Sequence, residues 1–354
     1  MCKNGKFLWI ALFICTSTSA FANGAPYEAY TSGGLVYLNN KDVRIAVEEL
    51  RISHDLVTVD YTFVNSARRS VAVEIAFPMP LQATGGSDEG PEDPEFKVTV
   101  NNQTHMPVTE KVVWYGQPPR DVTPLFKEAN VSLDEGVPDA LMKKLEEIPN
   151  KNCNSDRGSS PCSRVIQNVA KWHQDFPPGT TKIHITYKPT VGGDYYFHQA
   201  SPDRKASLDE QNPSGFGIGN YYLRTIDRDK TGKHVAHPYR PGDKWIMRHK
   251  FCVDPPFERA LNKRIVARDA ASTRDYAPSL QGYAINYVLE TGRHWNGPIG
   301  KFRLVVEKKF PDDLVSFCPL GAKKISPTEF EWKATNFEPR GEVSVLFVTA
   351  KPGE

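Results

Sequence analysis

Apolar residues recur at every second position in one segment of this chain after another, and no other feature constrains its fold as much. Val43, Ile45 and Val47 alternate with Asp42, Arg44 and Ala46. Val57, Val59, Tyr61 and Phe63 alternate with Thr58, Asp60 and Thr62, and Val71, Val73, Ile75 and Phe77 with Ala72, Glu74 and Ala76. Successive side chains of a strand point to opposite faces, so each run buries one face and wets the other. Half-wet strands suit antiparallel sheets packed face to face. The same period returns in Ile285–Leu289, Phe302–Val306, Phe330–Ala334 and Val343–Phe347. The 28 prolines among 354 residues also argue against a helical bundle, because interior proline breaks helices.

The period changes in the middle of the chain and again near residue 256. Val137, Leu141, Leu145 and Ile148 stand four, four and three apart, with Pro138 early and Pro149 after the end, which predicts a helix. Val165, Val169 and Trp172 repeat that spacing and predict a second helix. Phe257, Leu261 and Ile265 predict a third over 256–267. Phe96–Val100 and Val108–Tyr115 read as a hairpin turning at Asn101-Asn102. The expected fold is therefore mainly β, with two β-sandwich-like halves and a helical insertion in the first. Residues 23–190 would form one half, with the insertion over about 121–176. Residues 191–244, rich in Gly, Pro and charge, would link it to a second half over 245–354. A single intertwined sandwich is the alternative, since strands need not respect a linker.

The first 22 residues have the pattern of a secretory signal peptide. Lys3 and Lys6 precede an apolar run from Phe7 to Cys15, and Ala20-Phe21-Ala22 supplies an A-x-A site. Nine apolar residues are too few to cross a bilayer, so the expectation is an exported, periplasmic protein that does not span the membrane. Loss of Lys3 and Lys6 would take the 44 basic residues to 42, matching the 42 acidic ones. A nucleic-acid binder carries a basic excess, and none is present. Cys153, Cys162, Cys252 and Cys318 would remain, and an exported chain is expected to pair them. Locality favours Cys153–Cys162 with Cys252–Cys318; a metal site on these cysteines is the weaker alternative, lacking C-x-x-C spacing.

Chemistry-bearing motifs are sparse. The chain has no G-x-S-x-G elbow, S-x-x-K, H-E-x-x-H or Walker A loop, so no cofactor is implied. Asp227 and Asp229, before Thr231 and Gly232, resemble the start of a calcium loop, although the twelfth position is Pro238 rather than Glu. An Asp/Gly turn is the favoured reading of them. His234 and His237, with His249 beyond, are a second metal candidate. The run Thr291–Gly300 joins two expected strands and carries Arg293, His294, Trp295 and Asn296, which could form a ligand or partner surface. Replacing Trp295 would then weaken that contact and spare the fold. The alternative is a tight connection with Trp295 capping the core. The acidic run Asp88–Glu95 reads as a solvated loop, and Tyr195, Tyr196 and Phe197 as strand core.

Several segments together resemble a known group: Gly33-Gly34-Leu35, Glu49–Ser53, Val59–Asn65, Ala76–Pro80, Trp172–Pro177, Ile185–Pro189, Tyr287–Gly292 and Trp295–Gly300. They are similar to an uncharacterised family of exported proteins from Gram-negative bacteria, known only as a domain of unknown function. The Thr-Gly…Trp-x-Gly-Pro-Ile-Gly motif is their most specific part. The resemblance implies export and a bacterial host, and it assigns no catalytic residue. The resulting expectation is a β-rich binding or interaction protein whose partner is an envelope protein, peptide or glycan. A hydrolase of envelope glycan or peptide, using loop residues such as His294 and Asp227, and a structural subunit of an envelope complex are the alternatives.

Overall fold

A computed structural model describes residues 25–29, 35–37, 39–79, 82–83, 94–116, 120–133, 136–148, 164–199, 221–228, 234–237, 250–271, 280–318 and 321–349. In chain order the strands begin with β1 (Ala25–Ala29), β2 (Leu35–Tyr37), β3 (Val43–Ile52), β4 (Val57–Asn65), β5 (Val71–Pro78), β6 (Gln82–Ala83) and β7 (Lys97–Val100). Next are β8 (Gln103–His105), β9 (Val108–Tyr115), β10 (Arg120–Asp121), β11 (Val165–Phe176), β12 (Gly179–Tyr187), β13 (Gly192–Gln199) and β14 (Tyr221–Arg228). Then come β15 (His234–His237), β16 (Leu280–Val288), β17 (Ile299–Glu307), β18 (Leu314–Phe317), β19 (Lys323–Lys324), β20 (Glu329–Phe337) and β21 (Glu342–Val348). Helices α1 (Thr123–Glu128) and α2 (Asp139–Glu146) precede β11, and α3 (Pro255–Ala271) precedes β16. The chain is mainly β, as the alternation requires. The signal-peptide residues, Cys153 and Cys162, Asp229 and Asp88–Pro91 lie outside the described residues.

The described strands form three sheets. The first runs β10–β9–β11–β5–β1–β2, with β6 also on β11; the second β19–β20–β17–β3–β4–β12–β7–β8; the third β15–β14–β13–β16–β21–β18. One apolar cluster takes side chains from all three, among them Phe63, Phe77, Phe176, Tyr287, Phe302 and Phe347. The second sheet joins the two parts of the sequence. β17 lies parallel to β3, with Lys301 opposite Val47 and Leu304 opposite Leu50. Strands from either side of residues 191–244 therefore share one sheet and one core, and that stretch itself supplies β13, β14 and β15. The hairpin β3–β4 leaves one edge of β3 open, and β17 occupies it, so the two halves interlock.

Two local expectations need correction. Residues 165–176 are a strand rather than a helix. β11 is covered on both faces at Ile166, Gln167, Asn168, Val169 and Ala170, so it loses the period-two signature, and its apolar spacing matches a helix by coincidence. Of its buried polar side chains, Gln167 is paired: it accepts from Trp114 Nε1 at 2.9 Å and donates to the Met79 carbonyl at 2.8 Å. The other correction concerns β9, which leaves its expected partner. Asn101 and Asn102, with φ of 48° and 68°, make a two-residue turn that returns β7 onto β8. Pro107 follows, and β9 pairs with β11 in the first sheet.

The other helical patterns hold. Leu141 and Leu145 of α2 are buried with Phe126 of α1 against Val113 and Tyr115 of β9, and Val137 and Ile148 pack beside them. Phe257, Leu261 and Ile265 of α3 are buried in a cluster with Phe197, Leu280, Leu346 and Val348. The Cys252–Cys318 disulfide ties the segment before α3 to the end of β18. No helix among the described residues is long and apolar enough to cross a membrane.

Candidate functional site

The Thr291–Gly300 connection does not present its four candidate residues together. Arg293 and Asn296 are exposed and His294 is half-buried, whereas Trp295 is only 3% exposed. The Trp295 ring centroid lies 4.6 Å from that of Phe63 and 5.6 Å from that of Phe176. Trp295 is thus a core ring, and its reading as a partner contact is corrected. The backbone around it is stitched to the start of β3: Asn40 N donates to the His294 carbonyl at 2.7 Å, and Asn296 N to the Val43 carbonyl at 2.9 Å.

The end of the same connection shapes β3. A Cβ built on Gly300 would stand 2.6 Å from the Ala46 carbonyl oxygen, so only glycine allows this approach. At that point the pairing of β3 with β4 shifts register between Ile45 and Val47, which is a β-bulge. The bulge reverses the alternation. Val43 and Ile45 face inward before it, and Glu48, Leu50 and Ile52 after it, while Val47 is only half-buried. Extending the Val43–Ile45 pattern to Val47 misses this step. We expect Gly300→Ala to cost about 1–3 kcal/mol in urea denaturation, because the backbone at Ala46 must move. Gly136→Ala, where a Cβ meets nothing within 4 Å, serves as the near-neutral control.

Inside, the bulge carries a carboxyl group into the core. Glu48 is fully buried. Tyr287 Oη donates to Glu48 Oε1 at 3.4 Å and lies 3.1 Å from Tyr61 Oη. Burial pushes the Tyr287 hydroxyl up, reinforced by Tyr61 and Glu48, and burial alone does the same to Tyr187. These phenols stay protonated at any ordinary pH. A network buried in this way orders the core.

Outside, the same strands form a groove. It has a volume of about 420 Å³ and is lined by Val47 and Glu49 of β3, Lys301, Phe302 and Arg303 of β17, and Lys333, Ala334 and Thr335 of β20. Arg303 Nε donates to Glu331 at 2.7 Å and Nη1 to Glu49 at 3.2 Å, while Lys333 lies 2.9 Å from Glu331. Farther along, Arg51 Nη1 bridges Glu307 at 2.8 Å and Glu329 at 2.6 Å. These partners hold the Arg51 and Arg303 guanidinium groups above their usual range, and Glu329 and Glu331 below theirs. The lattice is therefore intact at neutral pH. It fails in acid, as pH falls through the lowered carboxyls.

Sequence reasoning missed these groove residues. Their trace in the sequence is the polar half of each alternation, Glu49 and Arg51, Lys301 and Arg303, Glu331, Lys333 and Thr335. The metal candidates are not brought to this site. Asp227 sits on β14 opposite Val235, with His234 and His237 on β15. Among the described residues no three His, Cys, Asp or Glu side chains cluster as metal ligands.

Comparison with curated proteins gives no match. Among solved structures, a Legionella pneumophila protein for which nutrient binding has been proposed matches over 94% of this chain and 71% of its own, at 14% identity and a TM-score of 0.43. Yeast LTA4 hydrolase in complex with bestatin matches over 86% of this chain and 28% of its own, at 7% identity and a TM-score of 0.26. Among families, the domain of unknown function DUF4424 matches residues 27–346, and the chain therefore belongs to the DUF4424 family.

Proposed function

We propose that this protein is an exported, periplasmic binding protein whose ligand seats in the groove across β3, β17 and β20. The observation that carries this reading is the groove itself. Its volume of about 420 Å³ falls in the range of small-molecule sites, roughly 300–1,000 Å³. It combines an apolar contact at Val47 with fixed charges on rigid strands, and such a wall can orient a ligand without reorganising. The Cys252–Cys318 bridge supports the location, because disulfides persist in oxidising compartments.

Native mass spectrometry of the protein purified gently from its own periplasm tests the reading. A small added mass is expected on the wild type. It should disappear in Thr335→Trp, which fills the groove from an exposed strand position, with the circular dichroism spectrum unchanged. An added mass retained by folded Thr335→Trp, or none on the wild type, would reject the groove.

A further inference from the structure

Charge on the groove face is ordered along the strands. Residues two apart on a strand share a face, so the pairings of β17 with β3 and β20 define rows across it. The row nearest the bulge is Val47, Lys301 and Thr335; the next is Glu49, Arg303 and Lys333. Then follow Arg51, Val305 and Glu331, and finally Glu307 with Glu329. On β3, β17 and β20 these rows carry four cations and four carboxylates, yet the first two hold three of the cations and one carboxylate; Asp60 of β4 stands beside Glu49 and Lys323 of β19 beside Glu331. The strip is cationic at the Lys301 end and anionic at the Glu307 end.

Lys301 is the group this arrangement leaves unbalanced. Its cross-strand neighbours, Val47 and Thr335, are uncharged. Arg303 is committed to Glu49 and Glu331, and Lys333 to Glu331. Among the described residues no carboxylate pairs with Lys301, which is exposed at the wall of the groove. Thr335 beside it offers a hydroxyl, and Val47 an apolar contact.

We propose that the groove binds ligands through a carboxylate, with Lys301 as its anchoring cation and Thr335 as a hydrogen-bond donor. This rests on the groove being the binding site. An extended ligand would lay its acid group at the Lys301 end and run toward the Arg51 end, with its apolar part on Val47. Carboxylates of this kind come from a peptide C-terminus or from an acidic sugar. The peptide fits better, because Val47 offers apolar surface to a side chain and a sugar acid has little to place there.

The test titrates the full chain with N-acetyl-trialanine, its C-terminal amide, and glucuronate, following backbone amides by NMR at low and high salt. The peptide acid should shift amides of residues 301–303 and 333–335, bind more weakly at high salt, and lose about ten-fold or more in affinity in Lys301→Glu. Lys301→Gln should lose part of that affinity. Equal binding of acid and amide in the groove would keep the groove and overturn the carboxylate assignment. Binding of glucuronate in preference to the peptide acid would keep the carboxylate and overturn the peptide. Shifts confined to other residues, or no shifts with any probe, would overturn both the assignment and the groove.

Discussion

Trp295→Ala should destabilise the protein by about 3–5 kcal/mol, the cost typical of deleting a buried large aromatic ring. The ring is 3% exposed and lies between Phe63 of β4 and Phe176 of β11, so its removal opens a cavity where the first two sheets meet. The damage should not stay local. Asn40 N and Asn296 N bond to the His294 and Val43 carbonyls around this ring, and a shifted connection would release both. Urea denaturation of purified wild type and variant measures the effect. A loss below about 1 kcal/mol would contradict the burial. Trp295→Phe keeps much of the packing and should recover part of the difference.

Loss of the Cys252–Cys318 bridge should be comparably severe. The two cysteines are 66 residues apart, and loop-closure entropy for a ring of that size corresponds to about 4 kcal/mol. The bridge fastens the entry to α3 onto the end of β18, where Ser316 Oγ also donates to the Phe251 carbonyl at 2.8 Å. Without it the unfolded chain gains freedom and the α3 cluster loses a fixed anchor. Denaturation midpoints with and without reductant should differ accordingly, and the Cys252→Ala/Cys318→Ala double variant should match the reduced form. Identical midpoints would show that the bridge contributes nothing to stability.

Much of the fold was legible because one-sided burial writes itself into alternation. β4, β5 and β17 follow the Val57, Val71 and Phe302 runs, and α2 and α3 follow their three-and-four spacing. β11 was illegible for the converse reason. Covered on both faces from Ile166 to Ala170, with Gln167 and Asn168 buried among apolar neighbours, its first half has no wet side to set a period. The inward turn of Glu48 was also hidden, since it depends on the approach of Ala46 to Gly300 across 254 residues. The site was less legible still. A row such as Glu49, Arg303 and Lys333 exists only once three strands are in register, and no local pattern announces that register. Of the conspicuous residues in the Thr291–Gly300 run, Trp295 is a core ring, and the groove begins one position after the run, at Lys301.

The parallel seam between β3 and β17 also governs the order of assembly. β3 is made about 250 residues before its partner, which does not exist until the intervening chain has been delivered. Until then the β3–β4 hairpin presents an open rim beside apolar side chains that have nothing to cover them, the situation in which strands recruit a neighbouring molecule instead. Contacts this distant in sequence also close slowly. Productive maturation therefore depends on keeping the early strands apart from other copies until the late ones arrive. A fragment ending near residue 190 would be a template for association rather than a smaller stable protein.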